Sequence, residues 1–284
     1  MPLVRRFFSS VYGAGLVSLG AVAFAAVPAT DKSAYSLANP TPDALLREMS
    51  TDRPDATEGP TTVDAGRVQL EMDFASFTRN RLDGVRTTEW GVVPFNVRIG
   101  IRHNFEAGVF VAPYVRQTEK PRSGPRETHG GFGDVTFRTK FNFWGNDGGE
   151  SAAGLILDLK LPTARRAIGN GAVEGAVTLP VLFELPAGWE LGAMTRLDLR
   201  HRDGGGRRAV WFNTATLGHE LGSKNLSGYV ELTSEAGDGA QVATLNLGVA
   251  WRVNPNTQFD LGGVFGLSRA ADDARWFAGI SRRF

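Results

Sequence analysis

The chain of 284 residues carries 31 Lys plus Arg against 30 Asp plus Glu and contains no cysteine. That balance gives no reason to expect nucleic acid or an acidic partner, and the missing thiols exclude disulfides, thiolate metal sites and a cysteine nucleophile. The 35 glycines are about 12% of the chain against roughly 7% in average proteins, a load that helices seldom tolerate.

Residues 1–29 are predicted to be a signal peptide. Arg5 and Arg6 form a positive leading region, "VYGAGLVSLGAVAFAA" is an uncharged apolar run, and "VPA" supplies small residues for cleavage. The run is short and glycine-rich for a span of about 20 residues, so export rather than anchoring is expected. Residues 30–65 are predicted to form a periplasmic segment, in which Pro42 and Asp43 mark the start of a short helix through "ALLREM". Beyond it stands "TDRPDATEGP", residues 51–60, with no apolar face and with prolines that prevent ladder pairing. Two readings stay open for it. Asp52, Arg53, Asp55 and Glu58 either pair with charges inside the folded body as a plug or latch, or belong to a solvated leader that keeps the first strand edge soluble during assembly.

From Gly66 onward the hydrophobic period is two. In "WELGAMTRLDLR" Trp189, Leu191, Ala193, Thr195, Leu197 and Leu199 share one face, against Glu190, Arg196, Asp198 and Arg200. "DVTFRTKFNF", "LILDLKLP" and "TLNLGVAWRV" repeat the pattern. The runs are about ten residues or longer, as a tilted strand crossing a bilayer requires, whereas sandwich strands are commonly about five or six. Short turns such as "RHN", "PAG" and "NPNT" alternate with connections that are mostly longer and more charged, such as "EKPRSGPRETHGG" and "TARRAIGNGA". These features predict an all-β protein: a transmembrane antiparallel up-and-down barrel over 66–284, with about twelve strands and both ends periplasmic. The phase of "AVWFNTATLGHEL" is the least regular, because Asn213 and His219 share the outward face with Trp211.

The inward phase supplies pore-lining candidates Arg98, Arg138, Lys140, Asp158, Lys160, Arg196, Asp198, Arg200 and Glu231. On the outward phase, Arg in place of Leu197 or Leu247 is expected to be costly, whereas Arg at the neighbouring inward Met194 is expected to be tolerated. No catalytic residue, cofactor or metal ligand set is predicted. The four histidines, His103, His129, His201 and His219, stand too far apart for a paired-ligand motif, and "GFGDV" is not followed by the helix that a phosphate-binding loop needs.

"TDRPDATEGPTTVDAGRVQLEMDF" resembles the opening of the outer-membrane barrel family named for the meta-pathway of phenol degradation. "GFGDVTFRTKFNFW" is similar to that family's Gly-x-Gly-Asp strand, and "LKLPTARRAIGNG" and "LPAGWELG" follow its order to the closing aromatic. The resemblance implies an outer-membrane channel or transporter for small solutes, with hydrophobic or aromatic compounds suggested. It also implies outer-membrane lipid as surroundings, and barrel-assembly machinery as a partner that reads the terminal Phe284; Arg282 departs from that signal. A structural or assembly barrel without transport is the alternative, ahead of a barrel-embedded hydrolase.

Overall fold

The computed structural model describes residues 31–284 apart from 166–167, 203 and 238–239; the predicted signal peptide lies outside the described residues. Fifteen extended segments form one antiparallel sheet: β1 (Val68–Leu82), β2 (Val85–Val92), β3 (Phe95–Arg102), β4 (Phe105–Val111), β5 (Tyr114–Lys120), β6 (Glu127–Gly131), β7 (Val135–Trp144), β8 (Ser151–Leu161), β9 (Glu174–Leu185), β10 (Trp189–His201), β11 (Arg207–Ser223), β12 (Leu226–Gly237), β13 (Ala240–Asn254), β14 (Thr257–Gly266) and β15 (Ala274–Arg283). β2 with β3, β4 with β5, and β6 with β7 are halves of three bent strands. The circuit therefore has the expected twelve strands, and β1 closes it on β15 from Gln69 opposite Arg283 to Arg79 opposite Ala274.

The bends lie at one level. Pro94 and Pro113 have no N–H to donate, and Val93 takes a φ of 54°, so the ladder breaks at both positions. The third break falls at residues 132–134, inside "GFGD". β1 answers with a bulge between Asp73 and Ala75, and the Asp73 amide donates to the Pro94 carbonyl at 3.0 Å. Above the break β6 pairs with β5 alone. The β8–β9 connection lies across the gap, where the Arg165 and Ala164 amides donate to the Phe132 carbonyl at 3.3 Å and to Asp134 at 3.0 Å. The external turn between β1 and β2 is only Asp83–Gly84, with φ of 49° and 83°. It is shorter than the predicted loop asymmetry suggests, because a two-residue turn with both φ positive matches strand twist.

Burial is inverted relative to a soluble protein. Glu71 (2% exposed), Arg98 (1%), Lys140 (0%) and Glu231 (1%) are buried, while Phe137, Leu159, Leu199, Trp211, Leu232, Leu247, Trp251 and Leu261 are exposed. An apolar exterior of this extent suits lipid. The outward polar positions of β11 are satisfied locally. Thr195 donates to Asn213 at 2.8 Å directly across β10–β11, and His219 stacks on Trp189 at 4.3 Å with its Nδ1 2.9 Å from the Gly188 carbonyl. The expected helix after Pro42 is a single 3-10 turn, Asp43–Leu45.

Candidate functional site

The segment before β1 occupies the lumen, since its side chains reach inward residues on walls all around the barrel. Asp52 meets Lys140 of β7 at 2.5 Å and Arg98 of β3 at 3.5 Å. Arg53 forks between Asp73 of β1 and Asp260 of β14, the latter at 2.5 Å. The amides of Ala56 and Thr57 donate to Glu231 of β12, at 3.0 and 2.7 Å, and Asn246 of β13 donates to the same carboxylate at 2.5 Å. Glu58 pairs with Arg138 at 2.6 Å. An extended, proline-bearing strip is suited to this. Its backbone groups have no ladder to join and are free to bond wall side chains.

Glycines make room for the strip. Gly279 faces the lumen opposite Asp73, and the Arg53 guanidinium lies where a Cβ would stand; at Gly100 the Asp64 carbonyl does so. Asp64 is a second anchor that sequence reasoning missed, fully buried and facing Lys32 at 3.6 Å, Arg47 at 3.4 Å and Arg283 at 3.5 Å. Glu106, which takes two bonds from Arg98 at 2.8 and 3.0 Å, was also missed. Glu106 lies at the start of a short strand, where phase is hard to read near a turn, and Asp64 stands before β1, where there is no strand phase to read.

Burial by itself would raise the Asp52 carboxyl, but Arg98, Lys140 and Arg138 outweigh it and hold the group below the ordinary carboxylate range. Asp55 goes the other way. Burial, with the Glu231 carboxylate beside it, pushes its carboxyl well up. Arg53 is raised: burial opposes its charge, but Asp260 and Asp73 more than restore it.

The remaining pore-lining candidates form a ladder up one wall. Arg138 donates to Asp158 at 2.7 Å, Arg196 lies 3.5 Å from Asp158 and 2.9 Å from Asp198, and Arg200 joins Asp198 at 3.1 Å to Glu235 at 2.7 Å. Starting from Glu58, charges alternate in sign from the lumen strip to the external rim. Lys160 stands beside it, 2.9 Å from both Asp134 and Glu174. Met194 corrects the expected tolerance of inward positions: it is 5% exposed, and its sulfur accepts from the Glu58 amide at 3.3 Å. An inward residue under the strip is packed, not wet.

Above the strip a cavity of about 980 Å³ opens, floored by Asp52–Ala56 and Glu58. Its wall away from the ladder carries Ser76, Thr78, Asn80, Thr87 and Gln117, the charged Glu89, Asp272 and Arg275, and the rings of Phe110 and Phe277.

Among solved structures, the fold is similar to that of an outer membrane channel from Pseudomonas putida F1, at 11% identity and a TM-score of 0.58, covering 83% of this chain and 100% of that one. The beta domain of the Bordetella autotransporter BrkA aligns at 13% identity and a TM-score of 0.51, covering 77% of this chain and 99% of that one. These are likenesses of fold. No curated protein sequence matches the chain. The family described as "Putative MetA-pathway of phenol degradation" matches residues 51–284, from the first residue of the lumen strip to the terminal aromatic. The chain belongs to that family.

Proposed function

We propose that this protein is an outer-membrane channel for passive movement of small molecules, and that the segment containing Asp52, Arg53, Asp55 and Glu58 is its plug. The observation that carries the reading is the cavity of about 980 Å³ above the strip, with aromatic and short polar side chains and the charged Glu89, Asp272 and Arg275 on one side and an ion-paired ladder on the other. A volume of that order takes a small organic solute. The rings of Phe110 and Phe277 favour hydrophobic or aromatic solutes. Export by the N-terminal segment and assembly through the exposed terminal Phe284 belong to the same proposal; the Arg282 guanidinium lies 5.1 Å over the Phe284 ring, which reconciles that cation with an aromatic ending.

Planar-bilayer recording tests it. The full mature chain is expected to show low conductance, and removal of residues 31–60 to raise it severalfold. Silence from both proteins would favour a structural barrel without transport.

A further inference from the structure

The outward face of the barrel is not uniform at its external end. Arg81 of β1 stands directly opposite Arg86 of β2, and Arg86 directly opposite Lys120 of β5. Arg79 lies one outward position lower on β1, and Arg116 of β5 lies opposite Trp90. All five cations are exposed, and none joins an ion pair among the described residues. The carboxylates of the same strands have the other phase: Glu89 lines the lumen cavity, and Glu119 stands opposite the cavity residue Thr87. Asp83, in the turn above, is held by Arg269 at 2.6 Å.

Two observations make this more than a solvated rim. Like charges directly opposite across paired strands repel, so two adjacent cationic pairs weaken the sheet unless an anion lies over them. Just below, Phe77 lies 4.7 Å from Trp90 and 6.0 Å from Trp276 on the same outward face. Such aromatic clusters settle at the bilayer interface. At about 3.3 Å per residue, Arg79 and Arg81 then stand roughly 7 and 13 Å beyond the rings, at headgroup depth and above. At the same end of β10–β13 the outward positions Leu199, Ala209, Trp211, Ala236 and Ala243 carry no charge, and the outward cation above them, Arg207 opposite His201, donates to the Val173 carbonyl at 2.9 Å.

We propose that Arg81, Arg86 and Lys120, supported by Arg79 and Arg116, form a binding site for the phosphorylated sugar headgroup of an outer-leaflet glycolipid. Guanidinium groups meet phosphate oxygens through two parallel hydrogen bonds, which Arg81 and Arg86 offer to two phosphates, and the Lys120 ammonium adds a third positive charge beside them. The inference rests on the outer-membrane placement proposed above but not on conduction.

The test uses the full mature chain in detergent, with native mass spectrometry counting bound diphosphorylated lipid A. Retention of that lipid is expected, and the triple variant Arg81→Ala, Arg86→Ala, Lys120→Ala should bind about a hundredfold more weakly, at roughly fivefold per cation. Heat-modifiable migration checks that the variant is folded. If it is not, the single variant Arg86→Gln serves, with an expected loss of about fivefold. Lipid A stripped of its phosphates should bind no better to the wild type than to the variant, and inorganic phosphate at equal concentration should not displace the lipid. Equal retention by variant and wild type, equal retention of the dephosphorylated lipid, or displacement by free phosphate would each overturn the proposal. Because conductance is not read, failure here is distinct from failure of the channel.

Discussion

The half of the lumen at the chain-terminal end of the barrel and the half beyond the bends are built from the same alternating strands, yet they neutralise their inward charges in different ways. Below the line of bends, Arg98, Lys140, Glu231 and Asp260 meet partners on a chain segment that crosses the barrel. Above it, Arg196, Asp198 and Arg200 pair with neighbours on their own wall, and the space between the walls stays open. Alternation decides which way a charge points. Whether that charge becomes part of a core or of a cavity depends on whether another segment fills the lumen.

The largest predicted contrast sets Arg98 against Arg200. Arg98→Ala strands Glu71 and Glu106 in a buried site and should cost about 3–5 kcal/mol, the loss expected when one partner of a buried ion pair is removed. Arg200, whose side chain is 32% exposed, should cost under about 1 kcal/mol. Denaturant unfolding followed by heat-modifiable migration reads both, and equal losses would erase the distinction between the halves.

Position on the strand sharpens the same contrast. Leu197→Arg and Leu247→Arg, on the lipid face, should each cost about 2–4 kcal/mol. Met194→Arg should be costly in the full chain, because Glu58 packs over it, and much milder once residues 31–60 are removed. A penalty at Met194 that ignores the truncation would mean that the strip does not pack there.

Double replacement of Arg138 and Arg196 by Ala removes two cations from the ladder and should move ion selectivity toward cations with the barrel still assembled. Unchanged reversal potential would place the ladder outside the solute path.

The smallest effect concerns pH. Docked Asp55 holds its proton more firmly than a free carboxyl, through burial and the facing Glu231 and Glu190 carboxylates. Its contribution to docking is therefore fully present below the ordinary carboxylate range and lost as pH rises through the raised value. Asp52, whose pKa is lowered, contributes in the opposite sense: its share is present above that range and lost as pH falls through the lowered value. Asp55→Asn should abolish the weakening on the alkaline side, seen as protease protection of residues 51–60 that no longer declines from acid to neutral pH. An unaltered pH profile in that variant would remove Asp55 from the docking contacts.

Strand number, the phase of the unbroken strands and the inversion of inside and outside were legible in the amino-acid order, because a period of two is a local property that each strand displays independently. Arg116, which the sequence reading also places inward, faces outward opposite Trp90, because the break at Pro113 flips the phase between β4 and β5. Inward Arg138, Asp158, Arg196, Asp198 and Arg200 could be named from that period, and so could the family resemblance from runs of ordered residues. What they bond to could not. Arg53 and Asp260 are 207 residues apart in the chain, and Ala56 and Glu231 are 175 apart; nothing local marks such pairs. The bends were hidden for a related reason, since Pro94, Pro113 and "GFGD" line up only once three strands are in register. The same register brings Arg81, Arg86 and Lys120 into one row, although they belong to separate strands. Tertiary structure alone decided these partnerships, because charge pairing depends on distance in space while alternation depends only on distance along the chain.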